Sequence, residues 1–443
     1  MRKQFKYALL FAAAMCLSLG FAACSDDDDD AEEVVADTSS EREAFIAEIT
    51  EEYLEDVVYV TYANMADATD DLFDLINALN TKLQAGTAVT DSEISAICDM
   101  YKEARKYWEQ SEAFLYGAAS DFNIDPHIDS WPLELEVLAA VLSNSTALAA
   151  LADTDDDTAI SAARSYFPDD GQLGFHGIEF IFFRDGEARS ADYFNNDEAE
   201  DYEDYFTNSG ITAKTEVIYA RATAGDLRDR TFQMEVAWAG NNASSSHVSR
   251  VNEILSELGA DGELTTATGN YYGADLLLAG TDQSTLASSS WYKVMEIILV
   301  DGCSNICAEV ADQKMGQAYR SYSGTGTEED DPNYIESPYS YNSFTDFYNN
   351  IVSIQNALYS NIEGSSYDDD SVMAYLYAYN STEAATLQSK LTAALDALQA
   401  CIDSGTPFVL NPAASYVAEA MEAVEDLDSE LNTASNWILQ NPD

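Results

Sequence analysis

Apolar residues recur at helical spacing almost from end to end of this chain, and the alternating pattern of a half-buried strand is nearly absent. That regularity restricts the fold to the all-α class, in which helices must bury their apolar stripes against other helices. In "SSEREAFIAEIT", Ser40 stands where a helix cap stands, Glu43 follows three residues on, and Phe45, Ile49, Tyr53 and Val57 share one face. A second helix is predicted over 91–118, opened by Thr90 with Glu93 as a capping box. Short helices are predicted over 133–165, one more at 173–184, and a long one over 197–224. The pattern restarts at 226, with helices at 227–257, 284–321, 342–362, 371–402 and 412–440. A chain of 443 residues exceeds what one core supports. Two helical-bundle domains resembling four-helix bundles are therefore expected, over 39–225 and 226–443. Duplication would produce such a pair, although no clear repeat relates the halves. The stretches 259–283 and 322–341 interrupt the pattern, and a twenty-residue loop in a compact domain is usually functional or disordered.

The N-terminus reads as a targeting segment. "MRKQFK" is basic, "YALLFAAAMCLSLGF" is apolar, and "FAAC" resembles a lipobox with Phe21 where Leu is usual. Residues 1–23 are expected to be a lipoprotein signal peptide, with Cys24 carrying the lipid and the acidic run from residue 24 to 38 serving as an extended tether. Ser25 follows Cys24 where an inner-membrane retention signal would place Asp, so an outer-membrane lipoprotein is expected, facing the cell surface or the periplasm. No later segment has about 18 uninterrupted apolar residues, so the lipid would be the only membrane contact. The 20 Lys+Arg against 80 Asp+Glu give a formal charge of -60, which repels nucleic acid and suits cations. Cys98, Cys303, Cys307 and Cys401 allow three pairings or remain buried thiols. The sequence leaves the oligomeric state open.

Three clusters carry the chemistry. In "GFHGIEFIFF", His176 and Glu179 are three apart, so on a helix they share one face about 5–6 Å apart at Cβ. Both could ligate one metal, or Glu179 could orient His176. The plainer alternative is a buried hydrogen bond that only fixes packing. Gly174 permits close approach of another backbone. In "EARKYWEQSEAFLYG", Arg105, Trp108, Glu109 and Glu112 fall on one face, and "IDSWPLE" adds Asp129 and Trp131. A buried face carrying Arg and Glu requires pairing, whereas an exposed one needs only a surface salt bridge. In "SPYSYNSFTDFYNNI", Ser337, Tyr339, Ser340 and Ser343 precede a helix whose free N–H groups could hold an anion or a carboxylate, or the serines could simply cap it. "DTDDDTAI" fails as an EF-hand, with Thr158 and Arg164 where Gly and Glu are required. HExxH, GxSxG, P-loop and dinucleotide patterns are all absent from the sequence.

Gly174, His176 and Glu179 match the GxHxxE hallmark of the imelysin-like family, and "ARKYWEQSEAFLYG" with "IDSWP" and "SPYSYNSFTDFYNNI" resemble its N- and C-terminal stretches. The resemblance covers residues 40–440. It implies two four-helix-bundle domains with the GxHxxE helix near their interface, export, and a link to iron or haem uptake. Members are classed as metallopeptidases.

Three readings follow. A lipid-anchored binding protein would hold a divalent or iron cation, or haem, with His176, Glu179 and Glu112 as ligands. A metallopeptidase would use His176 as ligand and Glu179 or Glu112 as base. A surface protein binding glycan or peptide would use aromatic residues in the two loops. Arg105, Trp108, Asp129, Trp131, Ser337, Tyr339, Ser340 and Ser343 would line the site in any of these. Each reading places His176 and Glu179 in a partly open cleft between the domains.

Overall fold

The structure, a computed structural model, describes residues 38–442 apart from 169–170, 259–263 and 363. The expected signal peptide, Cys24 and the tether up to residue 37 lie outside the described residues. Helix α1 (Thr38–Glu52) already runs through the expected cap at Ser40, and a wide π-type turn at Tyr53–Val58 joins it to α2 (Tyr59–Gln84). The turn keeps Tyr53, Leu54, Val57 and Val58 buried while the rod continues. Helix α3 (Asp91–Glu109) opens on the Thr90–Glu93 capping box. Its last turns carry Arg105, Trp108 and Glu109, all buried. The short helix α4 (Phe175–Phe182) is buried along its whole length.

Helix α5 (Ala213–Ala239) packs on α2, which in turn packs on α3. Almost every residue of α5 is buried, including Glu216, Asp226, Asp229 and Glu235. Buried charges need partners. Asp226 takes His127 Nε2 at 2.7 Å and Arg164 Nε at 2.6 Å, Asp229 takes Arg164 and Arg250, and Glu235 takes His247 Nδ1 at 2.5 Å. The helix expected over 197–224 therefore starts later and runs further, and the domain boundary expected at 225/226 falls inside it. Gly225 lies just before the expected restart at 226. It is a contact, because a Cβ there would lie 2.5 Å from Ile160 Cδ1 and 3.1 Å from the Phe73 ring.

Further along, the helical run 292–323 contains two more π-type turns, Ile297–Ser304 and Glu309–Lys314. Helices α6 (Ser343–Tyr359), α7 (Ser381–Asp403) and α8 (Ser415–Gln440) complete the described helices that matter here. α7 pairs with α8, α6 packs on α7, and α6 also reaches α3. Residues 39–443 form one compact unit. A two-strand hairpin, Phe183–Arg184 with Glu187–Ala188, is the only sheet among the described residues, so the molecule is all-α. Cys98, Cys303, Cys307 and Cys401 are buried free thiols. Among the described residues no helix is long and apolar enough to cross a membrane.

Candidate functional site

The site begins at Gly174, whose φ is +79° and whose missing side chain lets the start of α4 approach the 125–128 turn. A Cβ there would lie 2.0 Å from the Ile128 carbonyl oxygen. Ile178, Phe180, Ile181 and Phe182 bury the rest of α4. His176 and Glu179 are thereby fixed in buried positions. His176 Nδ1 lies 3.4 Å from Glu179 Oε2. The other oxygen, Glu179 Oε1, accepts the N–H groups of Tyr339 at 3.0 Å and Ser340 at 2.7 Å, and the Ser340 hydroxyl at 2.7 Å. The loop that offers them is bent through left-handed backbone at Ser337 (φ 50°) and Tyr341 (φ 59°). The anion that this loop binds is thus the chain's own Glu179.

Behind His176 lies a buried charged cluster. Arg105 pairs with Asp129, with Glu109 at 2.5 Å and with Glu336 at 2.5 Å, and its Nε lies 3.9 Å from Asp346. Trp108 Nε1 donates to Asp129 Oδ2 at 2.6 Å. Lys314, placed by the second π-type turn of the run 292–323, sits 3.2 Å from Glu336, 3.6 Å from Glu112 and 3.7 Å from Glu109. Ser337 donates to Asp346 at 2.5 Å, Ser343 donates to the Glu336 carbonyl at 2.5 Å, and Asn350 donates to Glu109. The serines bind side chains and loop backbone rather than capping α6, whose N-cap is Asn342.

The cluster sets six carboxyl groups, Glu109, Glu112, Asp129, Glu179, Glu336 and Asp346, against Arg105, Lys314 and His176. Burial pushes Glu112 and Glu336 well up despite Lys314, and pushes Asp346 up to about 7 despite Arg105. Burial alone would raise Asp129 and lower His176. Arg105 and His176 instead hold Asp129 well below the usual carboxylate range, and the Asp129 and Glu179 carboxylates raise His176 to about 9. The raised carboxyls thus favour their protonated forms, which eases the crowding of buried acids around Arg105, Lys314 and His176.

One face of the cluster reaches solvent. A cavity of about 590 Å³ has His176 at its floor and is walled by residues 131–137, by Tyr202, Glu203, Tyr205 and Tyr322, and by Pro332, Asn333, Ile335, Pro338, Tyr339 and Val409. Trp131 lies on its side, its ring 5.7 Å from that of His176. Glu179 is fully buried and lines none of it, so the cleft expected at both residues is reached by His176 alone.

The profile of the imelysin family (Imelysin, Peptidase_M75) matches residues 65–435. The chain belongs to the imelysin family. Relatives carry iron in their names. Iron-regulated protein A of Synechococcus elongatus is 28% identical over 140 residues, which span 32% of this chain and 32% of that protein. The match thus covers about a third of that relative's length. A solved structure from Parabacteroides distasonis, named as an iron-regulated protein A precursor, aligns over 89% of this chain and 95% of its own with a TM-score of 0.63 at 22% identity, which is a likeness of fold.

Whether an imelysin of this sequence suits a metal is a question of donors. Asp129, His176 and Glu336 each present a ligand atom within 4.8 Å of the others. His176 Nε2 lies 3.1 Å from Asp129 Oδ1 but off the hydrogen-bonding direction, and neither it nor Glu336 Oε2 has a hydrogen-bond partner. One imidazole and two carboxylates, two of the three with a free donor atom, fit a divalent or ferric cation. The expected ligand set of His176, Glu179 and Glu112 is accordingly revised. Glu179 Oε1 is taken up by loop N–H groups and Oε2 faces Nδ1 rather than Nε2, and Glu112 sits on the Lys314 side, grouped with Glu109 and Asp129. Arg105, Trp108, Asp129, Trp131, Ser337, Tyr339, Ser340 and Ser343 all gather here. Lys314, Glu336 and Asp346 were missed by sequence reasoning. Glu336 directly precedes "SPYSY" and Asp346 lies within "SFTDFYNN", so their acids were in view. Lys314 had as signal only that it is one basic residue in a strongly acidic chain.

Proposed function

We propose that this protein is an envelope-anchored binding protein that captures a metal cation, iron being the first candidate, at Asp129, His176 and Glu336. The observation that carries this reading is Nε2 of buried His176, which makes no hydrogen bond and lies 3.1 Å from Asp129 Oδ1 at the cleft floor. The names of the relatives support iron. A bound cation would supply positive charge among these buried acids. The chain's own residues do the rest. Glu179 faces Nδ1 and turns Nε2 toward the ligand position, while Arg105 and Trp108 fix Asp129. Export and a lipid on Cys24 rest on the sequence.

The test is metal analysis of the soluble form, residues 26–443, titrated with ferrous, ferric and zinc ions near neutral pH. Stoichiometric metal is expected in the wild type and is expected to be lost in His176→Ala and Asp129→Asn. A wild type that takes up none sinks the proposal. The family's peptidase classification gives a second reading, favoured by the open cleft that leads to His176, in which the cation held by Asp129, His176 and Glu336 would act on a peptide. It predicts peptide turnover that stops with chelator and in Glu336→Gln.

A further inference from the structure

The walls of the cleft have a chemistry of their own, separate from its floor. Glu134, Glu136 and Glu203 line it, and no Lys or Arg does. Glu203 has left-handed backbone, with φ of 57°, a conformation that costs a residue with a side chain and that here sits at the cavity wall. Gln172 holds one oxygen of Glu134, whereas Glu136 and Glu203 have no ion pair among the described residues. Aromatic rings alternate with these acids, and Tyr205 and Tyr322 stand at the wall 48% and 56% exposed. Six large hydrophobic residues are exposed among the described ones; these are two of them, and a third, Leu410, follows the lining residue Val409. Tyr202 and Tyr339 already accept the Arg184 guanidinium over their faces at 4.8 and 5.8 Å, so the rings of this wall do bind a cation. Among the described residues, neither Tyr205 nor Tyr322 makes a ring or cation contact. At the floor, the buried Nε2 of His176 makes no hydrogen bond.

Exposed aromatic faces interleaved with unpaired carboxylates are the composition that recognises ammonium and guanidinium groups. A haem or a carboxylate-rich iron chelate would instead set its anions against three glutamates on walls that carry no Lys or Arg. A volume of about 590 Å³, open to solvent, leaves room for a side chain whose backbone stays outside. We infer that the cleft binds a Lys- or Arg-bearing segment of a peptide, its charged end against Glu136 and Glu203 and its stem against Tyr205 and Tyr322. This rests on the reading of the cleft as the ligand site, and it makes the occupant above the floor an organic cation.

The chain's overall negative charge would attract any basic peptide, so the test must separate recognition from diffuse attraction. We would measure binding of a fluorescent Arg-containing hexapeptide to residues 26–443, stripped of metal, at about 0.15 M salt, where attraction beyond about 8 Å is screened. Glutamine and glutamate versions of the peptide serve as controls. Tyr205→Ala/Tyr322→Ala leaves the net charge unchanged and should weaken binding about fivefold or more, whereas Tyr379→Ala, another exposed ring, should not. Glu136→Gln/Glu203→Gln should weaken it as well. Equal binding of the glutamine peptide, or no effect of the Tyr205/Tyr322 pair, overturns the proposal. Free spermidine binding as tightly as the peptide overturns the assignment to a peptide. His176→Ala is expected to lose metal and keep peptide, so failure of the metal reading and failure of this one are distinguishable.

Discussion

At Glu179 one carboxylate oxygen accepts three hydrogen bonds from Tyr339 and Ser340, and the other faces His176. Removing it strands two buried N–H groups, each costing about 1–3 kcal/mol. Glu179→Ala should therefore lower stability by several kcal/mol in urea unfolding, while Glu179→Gln, whose amide oxygen can still accept, should retain most of it. Metal affinity should fall in both by about 10-fold or more, because the partner of Nδ1 is lost or weakened. Arg105 poses the opposite problem, as one guanidinium neutralises several buried acids. Arg105→Leu should cost about 3–5 kcal/mol, read from the shift in unfolding midpoint. Lower pH should relieve part of that cost, since the stranded acids can then take protons.

Among the elements, α4 is the most constrained. Gly174→Ala places a Cβ against the Ile128 carbonyl at a positive φ, so it should lower the melting temperature by several degrees or prevent folding, and Gly177→Ala does not share that backbone penalty. The helical class and most long helices were legible from spacing, as was the Thr90–Glu93 box, because these depend on local periodicity. Helix α5 was not, since a helix buried on all sides has no polar face to set the period, and its charged residues find partners far away in sequence. For the same reason the site was half legible. His176, Glu179, Arg105 and Asp129 stood in recognisable spacings. Lys314 and Glu336 reach the cluster through a π-type turn and a long loop, which no period encodes.

For the whole molecule, pH dependence follows from carboxyls that stay protonated when folded. Burial, reinforced by Glu200, pushes Glu216 from the ordinary 4.5 up to about 8 against the pull of Arg189, and burial pushes Asp346 from 3.8 up to about 7 against that of Arg105. The folded state holds protons that the unfolded chain releases near 4, so this stability is present below those ordinary values and is lost as pH rises through about 7–8. Melting by calorimetry should occur at a lower temperature at about pH 8.5 than at about pH 5.5, and Glu216→Gln/Asp346→Asn should flatten the difference. An unchanged slope in that variant would show that other groups dominate. A bound cation should raise the melting temperature more at the higher pH, where fewer protons compete with it. The hold of Glu179 on the loop has one further consequence. It grips backbone N–H groups at 339 and 340, and at 339 it makes no demand on the side chain, whereas the Tyr339 ring faces the cleft. Any residue but proline at 339 keeps that N–H donor, so a change of side chain there would alter what the cleft accepts and the ring packing on Phe180 and Tyr202 while leaving the backbone latch in place.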